Sequence, residues 1–164
     1  MIFVSLGSQQ YQFNRLLKEI DRLIESGEIQ EDVFAQTGAS TYEPRNFDYQ
    51  KFLSSDEYKR CIQSADIVIT HGGTGAIIGA IKAHKQVIAV PRQAKYEEHA
   101  DDHQFQIVEF MEENGYIRKV VEMDELRECI YKAQCIPVMK EFKSSGRIIE
   151  IIDSYIEKCG ERNK

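Results

Sequence analysis

The 164-residue chain has no Cys-x-x-C pair, no 18-residue apolar stretch and no excess of basic residues. Cys61, Cys129, Cys135 and Cys159 therefore read as buried or idle thiols. Without a long apolar stretch there is no membrane-spanning helix, and Met1–Leu6 runs into Gly7 and Ser8 too soon for a signal peptide, so a cytosolic chain is expected. With 21 Lys and Arg against 27 Asp and Glu, the net charge of −6 argues against nucleic-acid binding. Any phosphate it binds must be held locally. Internal repeats, low-complexity tracts and linkers are also missing, so residues 1–164 read as one domain long enough to bury a core.

What is present centres on Ser64–Arg92. Ile67, Val68 and Ile69 form a β-branched run too short for a helix, stopped by Gly72, Gly73 and Gly75. Ala76–Lys85 follows with Ile77, Ile78 and Ile81 on one face, and then a second buried strand, Gln86–Val90, closes on Pro91-Arg92. Strand, glycine turn and helix place unpaired N–H groups at a helix N-terminus, which is an anion-binding arrangement.

Along the rest of the chain, Ile2–Leu6 predicts a first strand ending in Gly7-Ser8-Gln9-Gln10. Phe13, Leu16, Leu17, Ile20, Leu23 and Ile24 make a helical stripe stopped by Ser26-Gly27. Val33–Gln36 predicts a strand ending at Thr37-Gly38, Phe47–Leu53 a brief strand, and Ser55–Ser64 a helix. Gln93–Glu98 lacks periodicity and reads as a surface loop with a function, before a helix from near His99 carrying Phe105, Val108 and Met111. Asn114-Gly115 stops that helix; Tyr116–Val121 reads as a last strand, Asp124–Gln134 as a helix, and Val138–Lys158 as a final helix bearing Ile148, Ile149, Ile152, Tyr155 and Ile156. Such alternation implies an α/β fold, a Rossmann-like parallel sheet sandwiched by helices, with ligands beyond the carboxyl ends of the strands.

The residues leave alternatives open. Gly73-x-Gly75-x-x-x-Gly79 is a dinucleotide fingerprint with one extra residue, and Arg92 suits a 2′-phosphate, but that fingerprint normally follows the first strand. His99 and His103 stand at i, i+4, without the His-Glu-x-x-His pattern of zinc ligands. His84 reads as a residue favouring a helix C-terminus, and Glu97-Glu98 with Asp101-Asp102 as first-turn helix charge.

Taken together and in order, Ala65–Gly75, Val90-Pro91-Arg92, Glu98-His99, Asp102-His103-Gln104 and Ser5–Gln9 resemble the C-terminal, donor-binding half of family 28 glycosyltransferases, over nearly the whole chain. The likeness is greatest to the small soluble subunits of split enzymes. These are the catalytic subunit of the transferase adding the second GlcNAc to dolichol-diphosphate-GlcNAc, and its bacterial counterparts in capsule and exopolysaccharide synthesis.

That resemblance implies the C-terminal half of a GT-B fold and a UDP-sugar substrate. His71, Gly72, Gly73, Thr74 and Gly75 would hold the donor diphosphate, with His71 and Thr74 donating to its oxygens. Asp102, His103 and Gln104 would meet the sugar, Arg92 and Glu98 would line the same loop, and Gly7, Ser8 and Gln9 would face the cleft. Fixed dipoles would stabilise the leaving diphosphate, so neither a cofactor nor a metal is expected. Many relatives carry a ribose-holding carboxylate where this chain has Gly79. A complete enzyme of this type needs two such domains, about 300 residues at usual sizes. A membrane-anchored subunit would thus supply the acceptor half and the catalytic base, with a lipid-linked saccharide as acceptor. A non-catalytic enhancer or scaffold subunit is the second reading, and the isoleucines of the final helix serve either docking or, more simply, core packing.

Overall fold

Strands β1 (Ile2–Ser5), β2 (Val33–Gln36), β3 (Asp48–Gln50), β4 (Ile67–His71), β5 (Gln86–Val90) and β6 (Arg118–Lys119) form one parallel sheet ordered β3-β2-β1-β4-β5-β6. The computed structural model describes residues 1–100 and 102–138, without the side chain of His103. The expected final helix, with Cys159, lies outside the described residues, as does Asp101.

Alternation along the strands builds two cores. Ile2, Val4, Ile67, Ile69, Ile88 and Val90 face α1 (Asn14–Glu25) and α5 (Leu126–Cys135), meeting Leu16, Leu17, Ile20, Leu126 and Ile130. Phe3, Val68, Val87 and Ala89 face α2 (Ser55–Ser64), α3 (Thr74–Lys82) and α4 (His103–Glu113), meeting Ile62, Ile77, Ile81, Val108 and Met111. Each fully buried Leu or Ile contributes roughly 1.5–3 kcal/mol, so burial on both faces sets the register of the short strands.

Helix ends follow local chemistry. Ser54 and Glu57 close a capping box on α2, leaving its N-terminus satisfied. The helix after the glycine turn begins at Thr74 rather than Ala76 and ends at Lys82; His84 then adopts a left-handed φ of 57°, and its N–H bonds to Ile81 O. Two other boundaries move. Ala94–Tyr96 forms a 3-10 turn inside the stretch read as aperiodic, and α4 starts at His103, so His99 precedes that helix and does not share it with His103. The last strand shrinks to Arg118–Lys119 because little of it pairs with β5.

The polar stretch between β2 and β3 is pinned by one carboxylate. Asp21 of α1, 4% exposed, accepts hydrogen bonds from Tyr42 Oη at 2.7 Å, Asn46 N at 2.8 Å and Arg45 N at 3.1 Å. Burial pushes the carboxyl up, but these hydrogen bonds outweigh it and hold the group below its ordinary 3.8. Asp21→Asn should therefore lower the urea midpoint at pH 7 by an amount worth about 1–3 kcal/mol. Because the folded value is the lower one, this stabilisation is complete above the ordinary value and is lost as pH falls through the folded one, so the gap between wild type and variant should close on acidification.

Candidate functional site

The sheet order reverses between β1 and β4, and the chains leaving these strands diverge to opposite sides, opening a crevice. Ser5 pairs with Thr70, which brings the Gly7 turn beside His71 and the Gly72–Gly73 turn. Gly7 has φ +73°, and a Cβ there would sit 2.8 Å from His71 Cε1; a Cβ on Gly73 would sit 2.3 Å from His71 Nε2. Glycine is required at both positions because the imidazole fills the space between the two turns.

His71 is 9% exposed. Its Nδ1 lies 3.3 Å from Ser5 O and 3.5 Å from Thr70 Oγ1, and because a carbonyl can only accept, Nδ1 is the donor to Ser5 O. Burial, then the charge of Arg92, pulls its pKa down to about 4, so the ring is neutral near pH 7. In this state the ring offers the crevice an acceptor rather than the N–H that a diphosphate contact asks for. Gly73 caps α3 with no side-chain hydrogen bond, which leaves the amides of that first turn open towards the same crevice.

The other expected residues divide. Gln104 is buried, and its Oε1 accepts from Gly72 N at 3.0 Å and Arg92 N at 3.1 Å, joining the glycine turn to the end of β5. Asp102 is exposed and its Oδ1 accepts from Ala94 N at 2.9 Å. His103 opens α4. Ser8 and Gln9 are exposed beyond Gly7, while Thr74 and Gly75 begin α3.

Arg92 and Glu98 are not on the surface of the loop. Arg92 is fully buried, donates from Nη2 to Leu6 O at 2.8 Å and Tyr11 O at 3.2 Å, and lies over the Phe13 ring. There it cannot reach a cofactor 2′-phosphate. Glu98, 1% exposed, accepts from Arg15 Nε at 2.7 Å and Gln93 N at 3.0 Å. Both hold the rim together from beneath.

A cleft of about 550 Å³ joins Ser5, Gly7, His71, Gly73 and Ala76 to a wall of Phe52, Leu53, Tyr58 and Lys59. That wall was not foreseen in the sequence. Its signal was the capping pair Ser54 and Glu57, which starts α2 after Leu53 and turns Phe52, 56% exposed, towards the crevice. Among the described residues no three of His, Cys, Asp or Glu cluster as metal ligands, and no helix is long and apolar enough to cross a membrane.

The family model of the glycosyltransferase family 28 C-terminal domain matches residues 1–144. Among solved structures, the glycotransferase of kitacinnamycin is similar with a TM-score of 0.64 and 20% identity, over 83% of this chain and 35% of that one. ALG13 is similar with a TM-score of 0.58 and 16% identity, over 92% of this chain and 93% of that one. MurG of Acinetobacter baumannii gives 0.58 and 16%, over 81% and 40%. At these identities the likeness is one of fold. No curated protein matches the sequence.

The glycines of the turn are not equivalent. A Cβ on Gly72 would lie 2.6 Å from Gln104 Cβ and 3.1 Å from Gln104 O, whereas Gly79 has nothing within 4 Å. Gly72→Ala should destabilise the protein by about 1–3 kcal/mol in chemical denaturation, by pushing α4 away from the turn. Gly79→Ala should stabilise it by about 1 kcal/mol, through helix propensity alone.

Proposed function

The chain belongs to glycosyltransferase family 28 through that family's C-terminal domain, and we propose that it binds a UDP-sugar in the crevice beyond β1 and β4. It serves there as the donor-binding, catalytic subunit of a heteromeric glycosyltransferase. The observation that carries this reading is the uncapped N-terminus of α3 opening on Gly73, beside His71, into a cleft of about 550 Å³.

In this reading the diphosphate lies over the first turn of α3, where aligned amides stabilise the charge that develops as the glycosidic bond to the leaving nucleotide breaks. Preorganised dipoles supply this without a metal. Phe52 and Leu53 give the base an apolar wall. Oδ1 of Asp102 and Oε1 of Gln104 already accept main-chain N–H groups, so the sugar hydroxyls are met by the other polar atoms of these side chains and by His103.

The acceptor is a lipid-diphosphate-linked saccharide presented by a membrane-anchored subunit that also carries the catalytic base, in bacterial capsule or exopolysaccharide synthesis, with UDP-galactose or UDP-GlcNAc as donor. Support for a partner is the fold likeness to ALG13. One observation favours the second reading, a non-catalytic enhancer or scaffold subunit. Gly79 is exposed on α3 with open space around it, where a carboxylate would fit and none is present.

Calorimetric titration with UDP separates the two. Binding is expected, and His71→Ala should weaken it at least about tenfold, ~1.4 kcal/mol. No UDP binding, alone or with the membrane subunit, would sink the catalytic reading, and thermal stabilisation by NADP but not UDP would replace it with a dinucleotide site.

A further inference from the structure

Among the described residues the largest fully buried side chain is Arg92, a charged one. Its burial is poorly compensated. Nη2 donates to Leu6 O at 2.8 Å and to Tyr11 O at 3.2 Å, whereas Nε and Nη1, both buried, have no hydrogen-bond partner among the described residues. Taking a guanidinium out of water with two of its nitrogens bare costs the folded state free energy. Glu98, the buried carboxylate of the same loop, is bound to Arg15 and to Gln93 N.

What the guanidinium holds is a turn with little hold on itself. Leu6 and Tyr11 bracket Gly7-Ser8-Gln9-Gln10, and among the described residues Ser8, Gln9 and Gln10 make no hydrogen bond. Gly7 and Ser8 line the cleft. Each end has a further tether, Gln36 Nε2 donating to Gly7 O at 3.0 Å and the Tyr11 ring against His99, and Nη2 of Arg92 ties the two ends to each other.

We propose that Arg92 is a positioning residue, kept buried at a cost to stability because it orders the Gly7–Gln10 turn in advance for the ligand of the cleft. This rests on the nucleotide-sugar reading of that cleft. A turn ordered beforehand spares the ligand the entropy of fixing it, and the saving appears as affinity. Methionine at this position keeps much of the volume, leaves the Phe13 ring a side chain to pack on, and retains the main-chain N–H bonded to Gln104 Oε1. Water reaches Leu6 O and Tyr11 O as the turn loosens, and the desolvated charge is gone, so folding loses little. A purely structural Arg92 predicts the reverse: its removal lowers stability, and the molecules that stay folded bind as before.

The test compares wild type, Arg92→Met and Arg92→Lys as full chains by urea unfolding, by the 15N heteronuclear NOE of the Ser8, Gln9 and Gln10 amides without ligand, and by calorimetric titration with UDP. Arg92→Met should show a urea midpoint at or above that of wild type, lower NOE values in the turn and UDP affinity at least about tenfold weaker. Arg92→Lys, whose ammonium has donors for both carbonyls, should lie nearer to wild type in turn order and affinity. Wild-type affinity in Arg92→Met, or a turn as ordered as in wild type, overturns the inference and leaves the nucleotide reading intact. A markedly lower urea midpoint, or failure of that variant to fold, makes Arg92 a structural residue and also overturns it. A turn as loose in Arg92→Lys as in Arg92→Met overturns the clamp on the two carbonyls. Wild type that binds no UDP overturns the nucleotide reading and this inference with it.

Discussion

One side-chain oxygen, Oε1 of Gln104, joins the ends of the two central strands on which the crevice is built. It accepts from Gly72 N after β4 and from Arg92 N after β5, so neither buried amide is left unpaired where the ladder between the strands stops. To make both bonds, the first turn of α4 must come close to the glycine turn, which is why a Cβ on Gly72 would strike Gln104. The position of α4, the exit of β5 and the course of the turn are therefore one constraint. An amide suits it better than a carboxylate, because a neutral carbonyl can accept two N–H groups without burying a charge beside the glycine turn.

A second layer begins where Arg92 leaves that oxygen. Its guanidinium runs beneath the rim to the carbonyls of Leu6 and Tyr11 and so fixes the turn after β1. The same two loops meet again at the surface. Tyr11 stacks on His99 at 4.9 Å, Gln12 donates to Tyr96 O, and Arg15 lies over the rings of Phe13 and Tyr96 while pairing with Glu98. Burying Glu98 is costly, and Arg15 with Gln93 N offsets that cost only if both loops keep their places. The rim is thus held as a unit by buried charge.

The strands were legible in the sequence because Ile67–Ile69 and Val87–Val90 are buried on both sides and carry no competing period. The glycine turn was legible too, since three glycines after a buried strand have few other uses. The fates of Arg92 and Glu98 were not. A charged residue beside a functional loop reads as exposed, whereas in three dimensions Nη2 of Arg92 meets two carbonyls and Glu98 meets Arg15, while Arg92 Nε and Nη1 are buried without a partner among the described residues. His71 at the strand end was legible as a crevice residue, but its bond to Ser5 O, 66 positions away in sequence, was not. The α2 wall escaped for the opposite reason: Phe52 and Leu53 look like the end of a strand until the capping box shows where the helix starts.

The glycines carry the last step. Gly7, Gly72 and Gly73 are required by this chain itself, because His71 or Gln104 occupies the volume a Cβ would need. Gly75 and Gly79 are different: both are exposed on α3, one turn apart, and neither has an atom of this chain within reach of a Cβ. Gly79, inside the helix, costs about 1 kcal/mol relative to alanine with no internal contact in return. The packing of the chain therefore accounts for glycine at 7, 72 and 73 and makes no demand for it at 75 and 79.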